Sequence, residues 1–183
     1  MEAWQTMLFG LTLTACNGCG SASHPSSVPG TTLASISVTS KAFGNGGAIP
    51  VDYSCDGAGK SPPLTWSAPP EGTKTMAVIL DDPDAPGGTF THWVAFNIPA
   101  ATLALSEGAD VAALGGEEGS NGFDRPGYGG PCPPRREMHR YYFHVYALDA
   151  PLTARPGASR DEVDAAMQHK VLAEGALMGT FAH

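Results

Sequence analysis

The chain is short of positive charge. Its 183 residues carry 10 Lys and Arg against 18 Asp and Glu, a formal net charge of −8, and 15% of the residues are charged at all. Clustered Lys and Arg draw a protein to phosphate backbones, so nucleic acid and an anionic membrane surface are excluded as general partners, and any contact with phosphate has to be local. No internal repeat is present, which removes solenoids and propellers. No apolar run of membrane-spanning length follows the N-terminal region. The sequence also lacks H-E-x-x-H, a nucleophile elbow and any close Cys or His pair of zinc spacing, the usual signatures of metallohydrolases and serine hydrolases. No cofactor is expected.

What is abundant is Gly, 23 residues, and Pro, 16, in a chain that is 42% hydrophobic. That composition suits many short strands joined by tight turns within one domain of ordinary size. Residues 1–33 read as a targeting segment and a flexible linker, and residues 34–183 as the folded domain. Met7 to Ala15 is a short apolar run ending in Leu13-Thr14-Ala15-Cys16, which resembles a bacterial lipobox with Cys16 as the lipidated thiol. This implies export, as a periplasmic protein or a membrane-anchored lipoprotein, with the membrane reached only through the lipid. The n-region carries Glu2 and no Lys or Arg, so a cytoplasmic tail is the alternative.

Strands follow from periodicity. Ile36 to Phe43 alternates, with Ile36 and Val38 on one face. Leu64 and Trp66 lie between two Pro-Pro pairs. Met76 to Leu80 is a continuous apolar run, as in a strand covered on both faces. Thr91 to Pro99 and the aromatic-rich His139 to Leu148 complete the set, separated by an irregular Gly- and Ala-rich excursion from Ala100 to Gly130. Ser159-Arg160-Asp161-Glu162 has the form of a capping box, and Val163, Met167, Lys170 and Val171 recur at helical spacing up to a stop at Gly175. Ala176 to Ala182 then reads as a last strand. Few helices among many strands indicate an all-β antiparallel sandwich with a short C-terminal helix and small helical additions.

Chemistry gathers in Leu80 to Ile98, LDDPDAPGGTFTHWVAFNI. A buried strand ends in Asp81 and Asp82, and prolines at 83 and 86 fix φ and remove N–H donors, so the chain leaves the ladder in a polar turn. Alternation puts His139 and Tyr141 on one face of the later strand, with His144 on the other, and groups His92 with Val94 and Phe96 on the earlier one. If those faces meet, two imidazoles and the aspartates share a pocket.

The DPDAP run, HWVAFNIP and GGPCPP followed by HRYYFHVYAL resemble the phosphatidylethanolamine-binding protein family, in its bacterial Raf kinase inhibitor-like (YbhB/YbcL) branch, over most of the chain from about Ile36 onward. The resemblance implies a Greek-key-type sandwich and a non-catalytic binding protein with a small anion or phosphorylated head-group pocket. It also implies possible modulation of a partner kinase or protease. Carried across by position, the pocket comprises Asp82, Pro86, His92, Gly130, Pro131, Cys132, His139 and Tyr141. Imidazole N–H, tyrosyl O–H and backbone N–H groups would donate to the anion. Ionised Asp82 cannot contact an anion directly, and its role is to accept from an imidazole N–H; Asp84 holds the turn. Arg135 and Arg136 are either a second phosphate contact or a solvated turn. Cys55 and Cys132 are either a bridge or two unpaired thiols. The competing function is a hydrolase, metal-assisted or His/Asp-based, in the same pocket.

Overall fold

A computed structural model describes residues 33–183; the lipobox reading, with Cys16 and Cys19, lies outside them. The elements run β1 (Ala34–Ser35), β2 (Val38–Thr39), β3 (Gly47–Ala48), a short 3₁₀ turn (Val51–Tyr53), β4 (Leu64–Trp66), β5 (Thr75–Asp82), β6 (Phe90–Pro99), β7 (Ala104–Leu105), β8 (Glu117–Glu118), β9 (Met138–Leu148), α1 (Arg160–Met167) and β10 (Val171–Ala182). The larger sheet has the order β1-β10-β9-β5-β6-β8, and β3 shares the outer edge of β10 with β1. A smaller sheet, β2-β4-β7, covers one of its faces. The fold is mostly β, as expected. The ladder is not wholly antiparallel, however, because β1 and β3 both pair with β10 in parallel.

The apolar run of β5 is explained by its place in the stack. Val78 and Leu80 join Leu64, Trp66, Trp93, Phe143 and Val145 in the core between the sheets. Ala77 and Ile79 point the other way, to Val94, Phe96 and the α1 residues Val163 and Met167. Every residue of β5 is therefore buried, including both terminal aspartates. Removing a side chain such as Ile79, fully buried, costs about 2–5 kcal/mol in lost burial and residual cavity.

The capping box forms as the sequence predicts: Ser159 Oγ accepts from Glu162 N, and Glu162 accepts from Ser159 N at 2.7 Å. The helix ends earlier than its apolar spacing suggests. It stops at Met167, His169 takes φ 63°, and Val171 already pairs with Leu148. Gly175 is thus a strand residue and no helix stop. A Cβ there would fall 1.8 Å from the Ile36 carbonyl oxygen, so glycine is required by the close crossing of two backbones. Among the described residues no helix is long and apolar enough to cross a membrane.

Candidate functional site

The site is built where β5, β6 and β9 end together. Alternation along β5 sends Asp82 to the same side as Leu80 and Asp81 to the side of Ile79. The two carboxylates therefore separate. Asp81 accepts from Arg160 Nη1 at 2.7 Å with both oxygens and from Thr91 Oγ1 at 2.8 Å, which ties α1 to the sheet. Asp82 alone reaches the pocket. Its Oδ1 accepts from Asp84 N at 2.9 Å, closing the proline turn. Asp84 in turn accepts from the Arg140 backbone N–H and, in fork geometry, from its guanidinium at 2.9 and 2.6 Å. Those hydrogen bonds from Arg140 hold the Asp84 carboxyl down to about 2.

On β9, His139, Tyr141 and Phe143 turn inward, and Arg140, Tyr142 and His144 turn to the opposite face. On β6 simple alternation fails. Leu80 pairs with Trp93 but Asp81 pairs with Thr91, so His92 is an extra residue in a β-bulge. The bulge re-aims its ring, as bulges near sites commonly do. His92 thus leaves the face of Val94 and Phe96, to which alternation assigns it, and lies against Tyr141 with ring centroids 5.3 Å apart. A second irregularity falls between the pairs Met76–Ile98 and Val78–Ala95, where Asn97 has φ 54° and its side chain exchanges hydrogen bonds with the Leu152 backbone.

The imidazoles are in different states. His92 Nδ1 lies 3.0 and 3.1 Å from the Gly129 and Gly130 carbonyl oxygens, so that nitrogen carries the proton. Its Nε2 is left as an acceptor, 4.0 Å from Asp82 Oδ2. Burial lowers the His92 pKa below its usual value, against the opposing pull of the Gly129 carbonyl and Asp82. His139 Nδ1 donates to Asp82 Oδ2 at 2.7 Å, and its Nε2 faces Glu137 Oε2 at 3.3 Å. Burial alone would lower the His139 pKa, but its hydrogen bonds to Asp82 and Glu137 outweigh that, and the net shift is upward. The site therefore sets an imidazole whose burial disfavours its charged form against one whose hydrogen bonds to Asp82 and Glu137 favour it.

These groups line a cavity of about 310 Å³. Of the residues the sequence places in a pocket, Asp82, Pro86, His92, Cys132 and His139 are on its wall, and Ala85, Phe90, Phe123, Pro133 and Pro134 complete it. Gly130, Pro131 and Tyr141 are not on the wall. Gly130 holds His92 through its carbonyl, Pro131 O accepts from Cys55 N at 3.0 Å, and Tyr141 packs behind both imidazoles. The Tyr141 hydroxyl is fully buried with no hydrogen-bond partner, and burial pushes its pKa well above the ordinary tyrosine value. Arg135 and Arg136 line a separate depression with Asp56 and His183. Cys55 and Cys132 are bridged, which resolves the alternative between bond and free thiols.

Sequence reasoning missed Phe90, Phe123 and Glu137. Phe90 stands two places before His92 and its ring packs edge-on against it at 4.9 Å, a neighbourhood that sequence proximity hinted at. Phe123 lies in an irregular loop with no periodicity to mark it. A larger depression, about 410 Å³ beside Thr89 and Ser120, offers less chemistry. Its Arg160 is committed to Asp81 and Asp164, and its Asn121 to Gly127 O and Phe123 N.

Residues 39–182 match the model of the phosphatidylethanolamine-binding protein family. The chain is similar to a UPF0098 protein of Aquifex aeolicus, 48% identical over 80% of this chain and 88% of that one. Among solved structures it resembles a phosphatidylethanolamine-binding protein homologue from Chlamydia trachomatis, at TM-score 0.76 and 38% identity over 81% of this chain and 98% of that one. It also resembles E. coli YbcL, described as a new member of the mammalian PEBP family, at TM-score 0.76 and 32% identity over 82% and 99%.

Proposed function

The chain belongs to the phosphatidylethanolamine-binding protein family, and on that premise we propose that its cavity captures a phosphorylated small molecule or head group without turning it over. The observation that carries this reading is the division of the cavity wall. One end is polar and buried, with the His139–Asp82 pair and His92 Nε2; the rest is Phe90, Phe123 and three prolines, with Ala85 and the bridged Cys132. A phosphate oxygen displacing the exposed Glu137 carboxylate would accept from His139 Nε2–H. A second oxygen would meet His92 Nε2 once that nitrogen takes up a proton. The apolar wall suits the organic part of the ligand. Among the described residues no hydroxyl or free thiol lines the cavity, and the one sulfur on its wall, that of Cys132, is bonded to Cys55. This favours binding over nucleophilic catalysis. A phosphorylated side chain on a partner kinase or protease would present the same chemistry, and the bridge supports export to an oxidising compartment.

The linkage has a definite sign. His92 is neutral in the free protein near pH 7, because burial lowers its pKa, and a bound anion favours the protonated ring. Affinity should therefore fall as pH rises from about 5.5 to 8. The ligand's own second ionisation, near pH 6, runs the other way, so a fall belongs to the protein. NMR titration with inorganic phosphate and phosphoethanolamine tests it. His139→Ala should weaken binding by about 1.5–3 kcal/mol, the range for a hydrogen bond to a charged group. His144→Ala, on the opposite face, should not. Loss of binding in the His144 variant with retention in the His139 variant would remove the pocket from consideration.

A further inference from the structure

A second cluster of reactive side chains lies beside the bridged cysteines. His183 Nε2 is 3.8 Å from Cys55 Sγ and 3.9 Å from Cys132 Sγ, and its Nδ1 is 2.7 Å from Asp56 Oδ2. The two sulfurs and a ring nitrogen lie within 4.8 Å of one another, the one such group of three His, Cys or acidic side chains among the described residues. All three residues are solvent-exposed, so a solute can reach them. While the sulfurs are bonded to each other, neither is a thiolate.

Reduction changes the donor set. A dithiol supplies two electrons and two protons and leaves as its own disulfide, or a phosphine supplies two electrons and takes up the oxygen of a water molecule whose two protons go to the sulfurs; either way the S–S bond becomes two thiols, and a divalent ion then displaces both thiol protons. The two loops stay together without the covalent bond. Cys55 N donates to Pro131 O at 3.0 Å and Tyr128 Oη donates to Tyr53 O at 2.7 Å. Gly130 lies so close to Ser54 that a Cβ would come within 2.7 Å of its carbonyl carbon. Asp56 is placed as a metal site requires: accepting from Nδ1–H, it leaves Nε2 as the lone pair aimed at the sulfurs.

We propose that the dithiol form of this protein binds one thiophilic divalent ion of the Zn²⁺ class through Cys55 Sγ, Cys132 Sγ and His183 Nε2, with Asp56 orienting the His183 ring. Two thiolates and an imidazole are the ligands a soft or borderline ion selects, and three protein ligands leave the fourth tetrahedral position to water. The site is independent of the anion pocket's function, although Cys132 borders both.

The test uses the full chain carrying Cys16→Ser and Cys19→Ser, so that Cys55 and Cys132 supply all thiols, reduced with a phosphine and titrated with Co²⁺ as a spectroscopic stand-in for Zn²⁺. One equivalent should produce the thiolate-to-metal charge-transfer band and the intense visible absorption of a tetrahedral site, both bleached by Zn²⁺. The oxidised chain should produce neither. His183→Ala should lose the tetrahedral visible band, and Asp56→Asn should keep the stoichiometry at about 10–100-fold lower affinity. Zn²⁺ should raise the melting temperature of the reduced chain and leave that of the oxidised chain unchanged. If reduction alone abolishes the near-ultraviolet dichroism, Zn²⁺ should restore it. The proposal is overturned if the reduced chain shows no charge-transfer band, if His183→Ala leaves spectrum and affinity unchanged, or if a reduced chain that has lost its dichroism is not restored by Zn²⁺.

Discussion

Replacing Asp82 with Asn isolates the Asp82–His139 pair almost without changing shape. The carboxamide oxygen can still accept from Asp84 N, so the turn is kept, while the charge opposite His139 Nδ1 at 2.7 Å is removed. Both side chains are only 4% exposed, so water screens little of the loss. In the wild type the His139 pKa is raised. A raised histidine contributes stability that is fully present below its unfolded value, near 6.5, and disappears as pH climbs through the folded value. In Asp82→Asn the main raising partner is gone, burial works unopposed except by exposed Glu137, and protonating the ring opposes folding. The cost of the substitution should therefore be about 3–5 kcal/mol near pH 5.5, as for an uncompensated buried charge. Above the folded pKa it should shrink toward about 1–3 kcal/mol, that of an imperfectly paired buried hydrogen bond. Urea unfolding of both proteins at pH 5.5, 7 and 9, with m-values compared to check that the transitions remain alike, reads this directly. A cost that is flat with pH, or that grows as pH rises, would refute the upward shift of the His139 pKa by Asp82.

Gly175→Ala should destabilise by at least about 1–3 kcal/mol, the overpacking range, because its Cβ would overlap the Ile36 carbonyl oxygen; a thermal melt matching wild type would contradict the close crossing. Ser159→Ala should cost about 1 kcal/mol through loss of the cap on α1, measured by denaturant unfolding, while phosphate binding stays intact. Reducing the Cys55–Cys132 bridge, which spans a separation of 77 residues, should lower stability by about 4.5 kcal/mol on the chain-entropy model; equal urea midpoints with and without a reductant would count against it.

The parts of the fold legible in the sequence are those fixed by local pattern. The continuous apolar run of β5, the alternation of β9 and the S-x-x-E cap each encode their own geometry, and the Asp82–His139 pair follows from two strands ending side by side. The face of His92 was not legible, because a bulge depends on how two strands pair and leaves no mark on the periodicity of either. Spacing alone carries α1 too far for a related reason: Val171 is apolar at a helical interval, yet it is claimed by Leu148 across the sheet. Position in a motif places Gly130, Pro131 and Tyr141 in the cavity, whereas in the structure they lie behind the groups that line it. The partner of Cys55 is a matter of tertiary proximity, and Phe123 reaches the cavity from a loop whose course nothing in its composition prescribes.

The additional residue at His92 makes the site a matter of chain length as much as of residue identity. Between Trp93 and Ala95 the pairing of β6 with β5 is regular, and the interior of the sandwich is settled there. One codon deleted between Phe90 and Trp93 would return the strand end to plain alternation and take the imidazole away from Asp82, leaving the apolar interior paired as before. An insertion at the same place could rebuild the site in a relative that lacked it. Gain and loss of this pocket during descent are therefore separated by a single-residue indel, and aligned relatives whose β6 is one residue shorter at this point are the ones in which the pocket's chemistry should differ while the fold persists.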